Sequence, residues 1–214
     1  MISPTDTARK RLRGLYVIID PEVARGRDEI EIARQAIEGG ARLIQLRDKT
    51  REKGLQLPIA QALQALCREG GALFFVNDHV DLALAIGADG VHLGQKDLPV
   101  AVVRGLIPPA MLVGCSTNNP DEARLAEADG ADYVSVGRLF PTGSKQNTRP
   151  ATLDTLRAVR DAINIPVCAI GGVDESNVDN VIAAGADMVS VIAAVVAADD
   201  VREAARRLAS RFDS

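Results

Sequence analysis

Short apolar runs recur along the chain, and polar, helically spaced stretches separate them. β-branched and aliphatic residues cluster at 15–19, 42–46, 72–76, 90–93, 111–114, 132–136, 166–170 and 187–192, each too short for a helix and bounded by turn residues, so each predicts a strand. Between them the apolar positions recur at helical spacing over 27–38, 51–69, 79–86, 98–104, 120–128, 152–162, 175–184 and 199–212. Asn119-Pro120 with Glu122 reads as a helix start, and Asn164-Ile165-Pro166 as a helix stop before a strand. The strands show no polar alternation, as expected of parallel strands covered on both faces.

A second pattern counts the strands independently. Gly-Ala followed by an acid or Arg and an apolar burst occurs at Gly40, Gly87, Gly130 and Gly185. Glycine accepts the left-handed conformation that closes a helix, so each instance is a helix stop feeding a strand. The starts lie 47, 43 and 55 residues apart (87−40, 130−87, 185−130), too far for one βα unit and suited to two. Two units repeated four times give eight strands. A doubly wound open sheet would alternate in the same way, but no G-x-G-x-x-G follows the first strand. The expectation is α/β: a single (β/α)8 barrel of the TIM type over 14–214, with a loose basic tail at 1–13 and chemistry at the C-terminal ends of the strands.

Composition narrows the picture. The 214 residues suit one domain with lean loops. With 47% hydrophobic but 3% aromatic residues, the core should be built from Val, Ile, Leu and Ala. A net charge of −4 argues against a general nucleic-acid surface, so any cationic site must be local. Three cysteines without C-x-x-C spacing argue against zinc and disulfides and fit a reduced cytoplasm; Cys115 and Cys168 lie within apolar runs and read as small buried hydrophobes. No stretch matches a membrane span or a signal h-region.

The strand ends carry the chemistry. After the second strand, Gln45, Arg47 and Lys49 alternate toward one mouth, which suits an anion. Asn77-Asp78 follows the third strand and Asp97 the fourth. Each aspartate would serve as a helix N-cap, but together, from neighbouring strand ends, they would supply two hard oxygen ligands for Mg²⁺ on a diphosphate. His79 and His92, without a third ligand, read as structural. The loop 137–148 is long and polar, with Thr142, Gly143, Ser144 and Lys145 offering hydroxyls and charge to an anion. Gly171-Gly172 and the end of the eighth strand at Ile192-Ala193 occupy loops 7 and 8, the commonest phosphate site of such barrels. Two anion sites in one small barrel suggest joining, or transfer between, phosphorylated partners.

In order and spacing, Gln45-Leu46-Arg47-Asp48-Lys49, Asn77-Asp78, His92-Leu93-Gly94-Gln95 through Asp97, Gly114-Cys115-Ser116, Pro141 to Lys145, and Gly171-Gly172 resemble thiamine phosphate synthase, also called thiamine-phosphate pyrophosphorylase. The resemblance runs from the first strand to the last helix. It implies a Mg²⁺-dependent transferase of thiamine biosynthesis that joins hydroxymethylpyrimidine diphosphate to thiazole phosphate, releasing diphosphate through a dissociated pyrimidine cation. It implies that Gln45, Leu46, Arg47, Asp48, Lys49 and Asn77 hold the pyrimidine diphosphate and that Asp78 and Asp97 bind Mg²⁺. It places Ser116 on the pyrimidine, Thr142, Gly143 and Ser144 on the thiazole phosphate, Lys145 on the diphosphate, and Gly172, Ile192 and Ala193 around the phosphate. Arg47, Lys49 and Lys145 would act catalytically by stabilising the leaving group's charge. Ser144 stands where the family usually has Thr, and Ala193 where it often has Ser. The small-molecule partners exclude nucleic acid and membrane, and a homodimer is compatible with the sequence. The competing functions are a thiazole tautomerase of related fold, a Schiff-base aldolase using Lys49 or Lys145, and a non-catalytic phosphate binder.

Overall fold

The computed structural model describes residues 9–143 and 149–212. Eight parallel strands close into a barrel in chain order: β1 (Gly14–Ile19), β2 (Leu43–Leu46), β3 (Leu73–Asn77), β4 (Gly90–Leu93), β5 (Leu112–Thr117), β6 (Tyr133–Val136), β7 (Val167–Ile170) and β8 (Met188–Val191), with β8 pairing back onto β1. Their surrounding helices are α1 (Pro21–Ala24), α2 (Glu29–Glu38), α3 (Lys53–Gly70), α4 (Val80–Ile86), α5 (Val100–Arg104), α6 (Pro120–Ala128), α7 (Leu153–Ala162), α8 (Val178–Ala183), α9 (Ala193–Val196) and α10 (Val201–Ala209). The predicted strands match these closely, except that β5 runs on to Thr117. Periodicity misses the four-residue helices α1 and α9, which are too short to show a period; α9 ends the predicted eighth strand at Val191. Asn119 caps α6 as expected, its side chain accepting from the Glu122 N–H at 2.9 Å.

The Gly-Ala repeat has one physical form. Gly40, Gly87, Gly130 and Gly185 all take positive φ, and the alanine after each donates its N–H five residues back, Ala41 to Ala36, Ala88 to Ala83, Ala131 to Ala126 and Ala186 to Val181. That is the helix-closing bond of a left-handed terminus. The acid that follows in three of the four repeats anchors a neighbouring strand. Asp89, Asp132 and Asp187 accept the N–H of Phe74, Val113 and Val167 at 2.9, 2.7 and 2.8 Å. Each of these even strands thus ties down the start of the odd strand before it.

Two core layers separate inside from outside. Outward residues such as Val17, Ile44, Phe74 and Val134 pack beneath the helices. Inside the barrel lie Leu12, Tyr16, Leu43, Leu73, Phe75, Leu112, Tyr133, Cys168 and Met188. The aliphatic core expected from composition therefore needs correction at its centre. Both tyrosines of the chain and Phe75 meet there with ring centroids 5.7–6.2 Å apart. Gly90 and Gly114 make the room, since a Cβ on either would overlap the Phe75 or Tyr133 ring. Residues 9–13 also depart from the loose tail expected of 1–13. Leu12 plugs the barrel floor, Arg9 pairs with the buried Asp132, and Arg11 donates to the Gly71 carbonyl at 3.0 Å.

Candidate active site

Two adjoining cavities open at the C-terminal ends of the strands. The larger, with about 530 Å³ of free space, brings together Arg47, Lys49, Asn77, Asp78, Asp97 and Ser116. The smaller, about 70 Å³, is lined by Thr142, Gly172, Ser190, Ile192 and Ala193 among others. Ile170 and Gly171 line both, so a single wall separates them.

Asp78 and Asp97 decide what the larger cavity holds. Neither caps a helix. The residue capping α4 is His79 and that capping α5 is Pro99, and neither makes a side-chain cap bond. Asp78 instead sits at φ 60°, a left-handed conformation uncommon outside glycine, and its carboxylate meets Lys49 and Asp97. Burial alone would raise Asp78, but its bonds to Lys49 and Asp97 hold its carboxyl below the usual range. Asp97 is pushed up by burial and by Asp78, although it also accepts the Gly94 N–H at 2.7 Å. Two carboxyl groups in contact, one biased toward its proton, are a donor set that a divalent cation fits, since the ion replaces the proton and relieves the repulsion. No group of three or more His, Cys, Asp or Glu suited to a metal occurs among the described residues. Zinc therefore fits poorly. Mg²⁺, which takes one or two carboxylates and completes its shell with water and phosphate, fits well.

The polar atoms around this pair are poised but incompletely paired. Arg47 reaches across to Asp20 at the end of β1, leaving its buried Nε without a partner among the described residues. Gln45 Oε1 and, in the small cavity, Ser190 Oγ are likewise buried and unpaired among them. Buried polar groups are rarely left so unless a ligand or water completes them. The small cavity's described walls carry no charged side chain; hydroxyls and main-chain N–H groups at the Gly171-Gly172 turn and the start of α9 are what they offer.

A family model described as thiamine monophosphate synthase matches residues 15–195. The chain belongs to the thiamine monophosphate synthase family. It is 50% identical to the thiamine-phosphate synthase of Moorella thermoacetica over 91% of this chain and 93% of that one, and 46% identical to that of Methanospirillum hungatei over 92% and 96%. The solved thiamine phosphate pyrophosphorylase from Pyrococcus furiosus superposes with a TM-score of 0.87 at 41% identity, covering 96% of this chain and 97% of that one. At 19% identity and a TM-score of 0.66, a 3-hexulose-6-phosphate synthase shares the fold alone.

Set against the residues expected of a thiamine monophosphate synthase, the structure sorts the stretch 45–49 by strand alternation. Arg47 and Lys49 reach the cavity, and Gln45 faces the barrel interior below it. Leu46 and Asp48 need correcting. Leu46 points outward into the helix-facing core, because successive side chains alternate across a strand. Asp48 turns away and organises the following loop, accepting from the Thr50 and Arg51 N–H groups at 2.9 and 3.0 Å and pairing with Arg51, which also binds Glu29. Burial would raise its carboxyl, but these bonds hold it below its ordinary value. Gly143 is exposed and lines neither cavity, and Ser144 and Lys145 lie outside the described residues.

The structure adds residues that the strand-end reading did not assign to the site: Asp20, Ser135, Ser190, Arg138 and Arg149. Ser135 and Ser190 sit two residues along from Tyr133 and Met188 on the same inward face, so a period-two reading of these apolar runs would have found them. His92 is structural in the expected sense yet forms part of the cavity wall. It belongs to a chain beneath the floor: Gln45 Nε2 donates to Tyr16 OH (2.6 Å), Tyr16 OH bonds Tyr133 OH (3.2 Å), Tyr133 OH bonds His92 Nδ1 (2.8 Å), and His92 Nε2 bonds Ser116 Oγ (2.9 Å). Either phenol can donate in the bond between them, and the tautomer of His92 sets the roles of its two ring nitrogens. Ser116 Oγ also accepts from Ser135 Oγ at 3.5 Å. Burial pushes both phenols up, keeping them neutral links. Tyr133→Phe should cost about 1–3 kcal/mol in urea unfolding, because Tyr16 OH and His92 Nδ1 lose a buried partner. A loss under about 0.5 kcal/mol, the scale of an ordinary surface change, would show that the chain carries no weight.

Proposed function

We propose that this chain is a thiamine-phosphate synthase, joining a hydroxymethylpyrimidine diphosphate to a thiazole phosphate with release of diphosphate. One observation carries the reading: a carboxylate pair facing Arg47 and Lys49 shares a wall, Ile170-Gly171, with a neutral, N–H-lined phosphate pocket. One substrate's leaving group and the other's anchor are thereby held side by side, which is the geometry a joining reaction requires.

In this reading Asp78 and Asp97 hold Mg²⁺, which when bound neutralises charge on the diphosphate. Arg47 and Lys49 grip the diphosphate oxygens, and their charge stabilises the electron pair that leaves as the methylene C–O bond breaks. Asn77, at the end of β3, and the Ser116 hydroxyl meet the pyrimidine side of the substrate. Gly172, Ile192 and Ala193 hold the thiazole phosphate through backbone N–H groups, with Thr142 beside them, so that the ring nitrogen's lone pair faces the carbon that lost the diphosphate and forms the new C–N bond. Ser144 and Lys145 belong to the same reading by resemblance. No side-chain nucleophile enters, consistent with burial pushing the Cys115 thiol up to about 11 and Cys168 higher still.

The rivals fare less well. An aldolase lysine is activated in a desolvated or cation-rich pocket, whereas Lys49 is half exposed and ion-paired with Asp78. Proton transfer in a tautomerase has no use for a carboxylate pair facing two cations. No described helix is long and apolar enough to cross a membrane, and all three cysteines are free and buried, which supports a cytoplasmic setting. Incubation with both substrates and Mg²⁺ should yield thiamine phosphate and diphosphate in equal amounts. Failure of folded protein to form either would overturn the assignment.

A further inference from the structure

Arg138 is an unassigned cation at the boundary between the two cavities. It lines the larger one, and its stem lies across Gly171, which lines both. The contact depends on that glycine, at φ +100°: a Cβ there would stand 2.7 Å from Arg138 Cα and 2.9 Å from its Cγ. The backbone of Arg138 is pinned on both sides, its N–H donating to the Arg149 carbonyl at 3.0 Å and its carbonyl accepting from Ala151 at 2.8 Å. The next two residues continue the ladder onto β7, Leu139 to Ile170 and Phe140 to Gly171. The backbone and the stem of Arg138 are thus held in a fixed place over Gly171.

No counterion meets it there among the described residues. The other arginines and the strand-end lysine of the mouth are engaged: Arg47 with Asp20, Lys49 with Asp78, and Arg149 with both oxygens of Glu122 at 2.7 Å. No described carboxylate pairs with Arg138, and the neighbouring stretch 144–148 contains none. Lys96, which also has no described ion pair, is exposed at the rim. The small cavity, meanwhile, would take a phosphate of charge about −1.5 to −2 between described walls that carry no charge. We propose that Arg138 is the cationic wall of the small cavity, binding the phosphate of the second substrate over Gly171. The larger cavity already has Arg47, Lys49 and the carboxylate-held ion for its diphosphate, so the small one has the greater need. Which substrate brings this phosphate rests on the synthase reading; that the small cavity takes a phosphate ester against Arg138 does not.

Two measurements test this. In steady-state kinetics, Arg138→Gln should raise KM for the thiazole phosphate by about 10- to 100-fold, the range for losing a charge-assisted hydrogen bond. KM for the pyrimidine diphosphate should stay within about threefold, and Arg138→Lys should recover part of the loss, since it keeps the charge but not the fork. Independently of turnover, inorganic phosphate should raise the wild-type melting temperature in a salt-sensitive manner. That shift should vanish in Arg138→Gln while the shift given by inorganic diphosphate with Mg²⁺ persists. Loss of the diphosphate shift with the phosphate shift kept would assign Arg138 to the larger cavity and overturn the proposal. Unchanged shifts, or loss of both in a folded variant, would overturn it as well. If wild-type protein formed no thiamine phosphate yet showed the Arg138-dependent phosphate shift, the synthase reading would fall and the phosphate site would stand.

Discussion

Replacing Asp78 with alanine is expected to lower turnover about a thousandfold, the several kcal/mol of charge stabilisation that a bound metal ion supplies. The side chain stands where three things meet: the Lys49 ammonium, the Asp97 carboxyl and the cavity. Its removal takes away one of the two hard oxygen ligands and releases Lys49 from its fixed direction. Alanine is also poorly suited to φ 60°, so the substitution adds a backbone cost that asparagine, more tolerant of the left-handed region, avoids. Asp78→Asn is therefore the companion variant. Both should keep the wild-type circular dichroism spectrum, lose turnover and need more Mg²⁺ for half-maximal rate. Turnover within about threefold of wild type in both would remove the carboxylate pair from the chemistry.

The largest effect on stability is expected at Asp132, far from the cavities at the opposite end of β6. Its carboxylate is fully buried and is met by Arg9, Arg104 and the Val113 N–H. Asp132→Ala leaves two arginines facing each other without their anion and unties the start of β5, so a loss of about 3–5 kcal/mol in urea unfolding is expected. Asp187, in the equivalent place of the last repeat, binds Arg160 and the Val167 N–H in the same way but is 41% exposed. Solvent screens that pair, and Asp187→Ala should cost about 1 kcal/mol. Equal losses at the two positions would contradict the view that burial, not the repeated bond alone, sets the energy.

The legibility of this protein varies with the range of the interaction concerned. Helix stops are local: a glycine that must take positive φ is visible in the chain, and four of them counted the strands. Apolar runs marked the strand positions because parallel strands covered on both faces have no polar side to confuse the pattern. Asp48 shows the limit. The resemblance to the family implied a ligand here, within the stretch 45–49, but alternation along the strand turned the Asp48 side chain away from the cavity, and its own loop took up its oxygens. Leu46 was misplaced for the same reason, and both errors follow from reading a motif as a unit instead of one side chain at a time.

Asp78 and Asp97 show the opposite case. Each alone has the form of a helix cap, and no local feature separates a capping aspartate from a metal ligand. Only the neighbouring of β3 and β4, which brings 78 and 97 into contact, rules out the cap. Arg138 needed more still: its significance lies in what surrounds it, a glycine following β7 beneath and no described anion beside it.

The sequence by itself determined the barrel, its eight strands and the end at which to look for chemistry, since these rest on backbone conformation and periodicity over a few residues. It also carried the ordered motifs that resemble the family. The tertiary structure decided which of those residues share a cavity, that both tyrosines fill the barrel centre behind Gly90 and Gly114, and that Leu12 closes its floor. Those facts depend on strand residues 15 or more positions apart lying side by side, as Asn77 and His92 do, and distance through space is what a linear pattern does not encode.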